Sequence, residues 1–127
     1  MLKELLVFTT GLTVSLVIGG VHASAQEAAL QAAPDILIAT PGRLVDFLHN
    51  NISRHTSCIS GNHHSKNTCS VVDLSGIEMV VFDECDKMMT VTLKDQVVDI
   101  ICHIPEEMRQ VVMFSATMTE EVNNFAD

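Results

Sequence analysis

Short apolar runs alternate with helical segments along most of this chain, and that alternation constrains the fold more than any other feature. The apolar runs are rich in β-branched residues and are bounded by glycine, proline or charged residues, as is typical of short buried strands. They lie at residues 12–18, 36–39, 79–82 and 111–114. Segments with helical composition or spacing follow them, at residues 23–33, 44–48 and 93–101 and from Thr119 onward. Strands that alternate with helices predict an α/β fold, with a parallel sheet covered by helices on both faces.

Local signals place the ends of two of these helices. Ser24 and Glu27 have the spacing of a capping box and predict the start of the first helix, which Pro34 would end. Thr40 is the expected N-cap of the second helix. Pro41 is its expected first residue, because a proline at that position lacks only an N–H that would have no helical partner.

Size and charge limit what the chain can do. A length of 127 residues with 47% hydrophobic content suffices for one domain core and excludes general disorder. Lys and Arg number 7 against 16 for Asp and Glu, so the net charge of -9 repels a phosphate backbone. With five Phe and no Trp or Tyr, an aromatic platform for single-stranded nucleic acid is not expected either.

The first 25 residues imitate a secretory signal, with an apolar stretch and a small-residue ending at Ala25. Glu4, however, cancels the charge of Lys3, and hydroxyl residues and glycines interrupt the apolar stretch. These features favour a buried strand over a signal or a membrane span. The alternative is an exported protein that begins near Gln26.

The four cysteines are too sparse for a disulfide-held miniprotein, which makes a reducing compartment the default. Residues 51–70 are rich in Ser, Asn, His and Thr and predict an exposed polar loop. This loop holds two thiols and two imidazoles, Cys58, His63, His64 and Cys69. Their spacing lacks a CxxC or HxxxH unit, so zinc is not expected there. Cys102 and His103 are interpreted as a buried thiol and a cation at a helix C-terminus.

Polar residues follow the strands at the ends where parallel sheets bind their ligands. Asp83 and Glu84 come directly after an apolar strand, an arrangement that suits Mg²⁺ on a nucleotide and an oriented water. The alternative is an acidic first turn of a helix. Residues 40–43 (TPGR) combine free amides, a glycine and a cation, which can hold a phosphate, although the same turn also occurs as a plain capped helix. Ser115 and Thr117 are expected to hydrogen-bond the acidic turn or to cap the next helix.

Taken together and in this order, the turns resemble the motifs of the first RecA-like domain of DEAD-box RNA helicases. The matching segments are the GG motif at residues 19–20, the TPGR motif at 40–43, motif II in its DECD form at 83–86 and the SAT motif at 115–117. Residues 26–50 and 109–122 are most similar to the nucleolar, ribosome-assembly branch of the family. The resemblance covers about residues 12–127 apart from the polar loop. It implies one partial helicase domain 1 over residues 1–127, with an insertion at about 51–70.

The resemblance implies roles for individual residues. Asp83 and Glu84 would be catalytic, with Asp83 holding Mg²⁺ through water, and Asp86, Ser115 and Thr117 would couple the ATP site to strand separation. Six residues would contact the RNA backbone: Gly19, Gly20, Thr40, Pro41, Gly42 and Arg43. The implied cofactors are Mg²⁺ and ATP. The implied partners are RNA and pre-ribosomal proteins, with no membrane and no DNA specificity, in the nucleolus or alternatively the cytoplasm.

One departure from the family pattern matters for function. The six glycines offer no phosphate loop of the form GxxxxGK[ST]. We therefore expect an incomplete RecA-like sheet without the phosphate-loop strand and helix, and a chain that is inactive alone as a fragment or truncated paralogue of a helicase. The alternative is a non-catalytic module that competes for helicase partners or RNA.

Overall fold

The computed structural model describes residues 11–49, 72–106 and 110–126. The chain divides into two compact units, Met1–Val72 and Asp73–Asp127. The described elements of the first unit are β1 (Val14–Val17), α1 (Ala23–Gln31), β2 (Ile36–Ala39) and α2 (Pro41–His49). Those of the second unit are β3 (Met79–Phe82), α3 (Cys85–Met88), α4 (Lys94–Cys102), β4 (Gln110–Met113) and α5 (Glu120–Ala126).

The first unit is built on a parallel pair of strands with a helix between them in the chain. β1 pairs with β2 in a register that runs from Val14 opposite Ile36 to Val17 opposite Ala39. Asp35 reinforces the start of the pair, since its carboxylate accepts hydrogen bonds from the backbone N–H and the hydroxyl of Thr13, at 2.8 and 2.7 Å. These bonds lower the pKa of Asp35 and keep it ionised.

The second unit repeats the parallel arrangement. β3 pairs with β4 from Met79 opposite Gln110 to Phe82 opposite Met113. Its core consists of five buried side chains, Phe82, Cys85, Met89, Val97 and Val122. The rings of Phe82 and Phe125 meet edge to face with centroids 5.8 Å apart. The predicted α/β class with parallel strands flanked by helices is therefore confirmed, and the described strands pair two by two.

Two local predictions are wrong. α1 begins at Ala23 with His22 as its N-cap, and no side-chain cap hydrogen bond forms, so Ser24 and Glu27 make no capping box. Ser24 lies inside the first turn, where it has helical backbone and cannot act as the cap. Cys102 is exposed, because it lies at the end of α4 and away from the buried face that Val97 and Ile100 form. The short helix α3 begins at Cys85 with Glu84 as its N-cap, so a helix does start at the acidic pair, as the alternative interpretation expected.

Two other predictions concern parts of the chain that the structure does not describe. The polar loop and its candidate ligands Cys58, His63, His64 and Cys69 lie outside the described residues. Residues 1–10 of the signal-like segment do so as well, whereas part of the predicted first strand is observed as β1. None of the helices in the described ranges is long and apolar enough to cross a membrane.

The residue after the C-cap of α1 offers a test of the local backbone. Ala33 has φ +48° and immediately precedes Pro34, whereas the C-cap residue Ala32 is right-handed with φ -73°. We expect Ala33→Gly to raise the free energy of unfolding by about 1 kcal/mol, because glycine adopts positive φ without steric cost.

Ala32→Gly is the matched control for this prediction. It adds the same chain entropy to the unfolded state without relieving any strain, so we expect it to be neutral or destabilising. Chemical denaturation of both variants measures the difference. Equal effects of the two substitutions would contradict the assignment of a strained backbone at Ala33.

Candidate functional site

The acidic turn lies directly after β3, where the backbone makes a sharp change of direction. Glu84 has φ +53° and ψ +47°, a left-handed conformation that costs a non-glycine residue about 1–2 kcal/mol. Hydrogen bonds hold it there: the Glu84 N–H donates to the Asp83 carboxylate at 3.0 Å, and the next residue, Cys85, donates its N–H to the Phe114 carbonyl at 2.9 Å. Strain of this kind persists where surrounding contacts impose it, often at functional sites.

The first two carboxylates of this turn are open to solvent. Asp83 and Glu84 are exposed, and the Glu84 carboxylate accepts a hydrogen bond from the Lys87 ammonium at 2.8 Å, one helical turn further on. The ion pair raises the pKa of Lys87, mainly through this hydrogen bond and the charge of Glu84. An exposed pair of this kind contributes little to stability. Its effect is to orient the Glu84 side chain.

The turn after β4 is hydrogen-bonded to the acidic turn. The Thr117 hydroxyl donates to the Asp86 carboxylate at 2.8 Å, and the Asp86 N–H donates to the Ser115 hydroxyl at 3.3 Å. The Ser115 hydroxyl in turn donates to the Thr117 carbonyl at 2.7 Å. The hydrogen bonds expected from the sequence between these two turns are therefore present. The bond from Thr117 lowers the pKa of Asp86 against a smaller effect of desolvation, so this carboxylate stays an ionised acceptor.

The third residue of the acidic turn faces the protein interior. Cys85 is fully buried, and its Sγ lies 3.7 Å from the Met113 sulfur. Burial raises the pKa of this thiol, and the charge of Asp86 raises it further, so the thiol is neutral and shielded. Cys85 therefore anchors the turn by packing.

In the first unit, a turn of two glycines follows β1. Gly20 has φ +79°, a conformation that favours glycine, and a Cβ at either Gly19 or Gly20 would meet nothing within 4 Å. Open space beside a glycine turn lets another molecule approach the backbone closely.

The TPGR segment leads from β2 into α2 as predicted. α2 begins at Pro41, and the Thr40 carbonyl accepts the first helical hydrogen bond, from the Leu44 N–H at 3.1 Å. Arg43 points back to the glycine turn: its Nε donates to the Ile18 carbonyl at 3.3 Å, and its Nη2 donates to the Val21 carbonyl. The structure thus brings Arg43 and the glycine turn together within the first unit.

Gln26 is a residue that the sequence reasoning missed. Its side chain is 4% exposed and makes three hydrogen bonds with the backbone of Ile18 and Val21, on either side of the glycine turn. The available signal was helical spacing, because Gln26 lies four residues before Leu30, which is also buried. A polar residue on the apolar face of a helix needs a specific partner.

The match to a known family covers nearly the whole chain. The sequence profile of the DEAD/DEAH box helicases matches residues 1–125. The chain belongs to the DEAD/DEAH box helicase family. The turns at residues 83–86 and 115–117 are called the DECD and SAT turns below, after their sequences.

Curated relatives from several organisms support this membership. The chain is 42% identical over 124 residues to the mouse "Probable ATP-dependent RNA helicase DDX27". It is 35% identical over 120 residues to "ATP-dependent RNA helicase DRS1" of Eremothecium gossypii. These matches cover 98% and 94% of the chain. The chain spans only 14% of the length of each of these two relatives.

Crystal structures of DEAD-box proteins share the fold. The yeast splicing factor Prp28 matches with a TM-score of 0.68 and 30% identity, over 91% of this chain and 22% of that one. A hypothetical ATP-dependent RNA helicase from Sulfolobus tokodaii matches with a TM-score of 0.67 and 29% identity, over 92% of this chain and 29% of that one. The predicted RecA-like class is confirmed by these DEAD-box neighbours.

The donor chemistry of the acidic turn fits the magnesium ion that DEAD-box helicases use with ATP. The exposed carboxylate of Asp83 supplies the hard oxygen ligands that Mg²⁺ prefers, with Glu84 beside it. Within residues 11–49, 72–106 and 110–126, no group of three or more His, Cys, Asp or Glu side chains could hold a metal by itself. This is compatible with Mg²⁺, which is commonly held by one or two carboxylates together with water and nucleotide phosphates.

Proposed function

We propose that this chain provides the metal-facing, coupling and RNA-facing turns of the first RecA-like domain of an ATP-dependent RNA helicase. The observation that carries the proposal is the hydrogen-bonded junction between the DECD and SAT turns. Phe114, Ser115 and Thr117 engage both the backbone and the carboxylate of this junction, at Cys85 and Asp86. Because these hydrogen bonds join the two turns, a displacement of one turn would be transmitted to the other.

The acidic turn would carry out ATP hydrolysis. Asp83 would hold Mg²⁺ through water, and Glu84 would orient the water that attacks the terminal phosphate and accept its proton. Bound Mg²⁺ would neutralise charge on the nucleotide phosphates. The left-handed backbone at Glu84 and the ion pair with Lys87 support this role, because both restrict where the Glu84 carboxylate lies.

Coupling and RNA contact would belong to the other turns. Asp86, Ser115 and Thr117 would transmit the state of the ATP site to strand separation. The RNA backbone would be contacted by six residues of the first unit, Gly19, Gly20, Thr40, Pro41, Gly42 and Arg43. The exposed glycine turn and the N-terminus of α2 support a contact made largely by main-chain amides. Such a contact binds the phosphate backbone and therefore gives no preference for base sequence.

The substrate and the cellular location are proposed from similarity to other members of the family. Similarity to proteins named as ATP-dependent RNA helicases supports RNA as substrate and ATP with Mg²⁺ as cofactor. We further propose a role in ribosome assembly in the nucleolus, with pre-ribosomal proteins as partners. This role rests on the resemblance of residues 26–50 and 109–122 to that branch of the family.

A chimera tests the proposal. This chain replaces the 124 matching residues in the mouse relative, whose remainder is expected to supply a phosphate loop and a second domain. We expect the chimera to hydrolyse ATP in response to RNA. The purified chain alone should not hydrolyse ATP, because its sequence contains no phosphate loop. A folded but inactive chimera, or turnover by the chain alone that Asp83→Asn abolishes, would contradict the proposal.

A further inference from the structure

Two side chains from different helices hold the ends of the glycine turn. Gln26 of α1 accepts a hydrogen bond from the Ile18 N–H at 2.9 Å and donates to the Ile18 and Val21 carbonyls, both at 3.1 Å. Arg43 of α2 donates to the same two carbonyls from Nε and Nη2. Each carbonyl beside the turn thus receives two donors.

The Arg43 guanidinium is itself fixed. It lies over the Phe47 ring, 5.6 Å from the centroid, and Phe47 is buried in the first unit. From this position the planar guanidinium can donate hydrogen bonds to two acceptors at once. A lysine ammonium on a flexible side chain cannot reproduce this geometry. Arg43 therefore has a defined role within the protein before any ligand is present.

Between the two held ends, the turn is open. Gly19 and Gly20 are exposed, and neither amide donates a hydrogen bond within the described residues. Exposed backbone N–H groups in a turn can bind an anion. Binding is favoured when the turn stays in one conformation and when the carbonyls beside it are already hydrogen-bonded, because a free carbonyl repels an anion. Gln26 and Arg43 meet both conditions, because they fix the turn and occupy its two flanking carbonyls.

We propose that Gln26 and Arg43 are positioning residues that hold the Gly19–Gly20 turn ready for an RNA phosphate, with Arg43 acting through the turn. This inference rests on the proposed function and deepens it. It assigns a role to Gln26, for which the sequence motifs gave none. For Arg43, the inference replaces direct binding of the RNA phosphate with support of the Gly19–Gly20 backbone, which itself contacts the phosphate.

The test measures binding of the purified chain to a fluorescein-labelled single-stranded oligouridylate by anisotropy, over a series of salt concentrations. The variants are Gln26→Met, Arg43→Lys, Arg43→Gln and the double variant Gln26→Met/Arg43→Lys. Gln31→Met is the matched control, because Gln31 belongs to the same helix and is exposed. Thermal unfolding of each variant identifies a temperature at which all are folded.

We expect Gln26→Met and Arg43→Lys each to weaken binding roughly tenfold, as loss of hydrogen bonds to a shared structural unit predicts. The double variant should be little worse than either single one, since both residues support the same turn. The salt dependence of binding should stay unchanged in Gln26→Met and Arg43→Gln, and Gln31→Met should bind like the unsubstituted chain. The backbone order parameters of Gly19 and Gly20, measured by 15N NMR relaxation, should fall in Gln26→Met.

Two results would overturn the inference while leaving RNA binding intact. One is a folded Gln26→Met chain that binds RNA normally. The other is an Arg43→Lys chain that keeps its affinity while Arg43→Gln lowers the salt slope by about one, as loss of a direct phosphate contact predicts. Failure of the unsubstituted chain to bind RNA even at low salt would instead count against the proposed function. Unchanged order parameters at Gly19 and Gly20 in Gln26→Met would then still overturn the positioning role.

Discussion

Glu84→Gln in the chimera is expected to lower ATP turnover by about 10²–10⁴-fold, the usual contribution of a positioned general base. Glutamine keeps the size of the side chain but cannot accept the proton of the attacking water. It has the same steric cost as glutamate at the positive φ of residue 84, so the backbone of the turn should not change. The measurement is the steady-state rate of phosphate release at saturating ATP and RNA.

Lys87→Gln is the control for this substitution. It removes the 2.8 Å ion pair but leaves the Glu84 carboxylate in place. Because both side chains are exposed, the loss should cost little stability, and turnover should fall far less than in Glu84→Gln. A Glu84→Gln chimera that hydrolyses ATP at the original rate would exclude Glu84 as the group that activates water.

Phe82→Ala is expected to lower the free energy of unfolding of the chain by about 3–5 kcal/mol, the range for removing a buried aromatic ring. Phe82 is 7% exposed, ends β3 and packs against Phe125 and the other core residues of the second unit. A loss of this size is comparable with the whole stability of many small domains. The acidic turn that begins at the next residue would lose its support as well.

Phe114→Ala provides the comparison, since Phe114 follows β4 and is 58% exposed. Its removal should cost less than about 1 kcal/mol, as is common for exposed positions. Denaturant unfolding, followed by circular dichroism, measures both variants. Similar losses for the two substitutions would show that Phe82 is not the core residue described here.

The strands could be predicted because their signals are local. The apolar runs at residues 36–39 and 79–82 coincide with β2 and β3, since turn or charged residues follow both runs in the sequence. The start of α2 at Pro41 was predicted for the same reason. The signals for α1 were less informative, because alanine-rich segments form helices readily but do not specify which residue caps them.

The polar contacts could not be predicted in the same way. The left-handed backbone of Glu84 depends on the Phe114 carbonyl, which lies thirty residues further along the chain. Gln26 looks like an ordinary polar residue of an alanine-rich helix until the fold places it against Ile18 and Val21. Cys102 was misassigned because its neighbours Ile100 and Ile101 suggest burial, whereas helical geometry turns it to the exposed side.

The most direct test of the central claim is the number of RNA duplexes separated per ATP hydrolysed by the chimera with Thr117→Val. This substitution removes the hydroxyl that donates to Asp86 at 2.8 Å and keeps the shape of the side chain. Thr92→Val is the control, since Thr92 is an exposed threonine whose hydroxyl lies 3.4 Å from the hydroxyl of Thr90, away from the two turns in the sequence.

If the DECD and SAT turns act as one coupled unit, Thr117→Val should leave ATP hydrolysis nearly unchanged. Duplex separation per ATP should fall roughly tenfold, as loss of a hydrogen bond to a charged group predicts. Thr92→Val should change neither quantity. A Thr117→Val chimera in which hydrolysis and separation both stay normal, or both fall in proportion, would contradict the account.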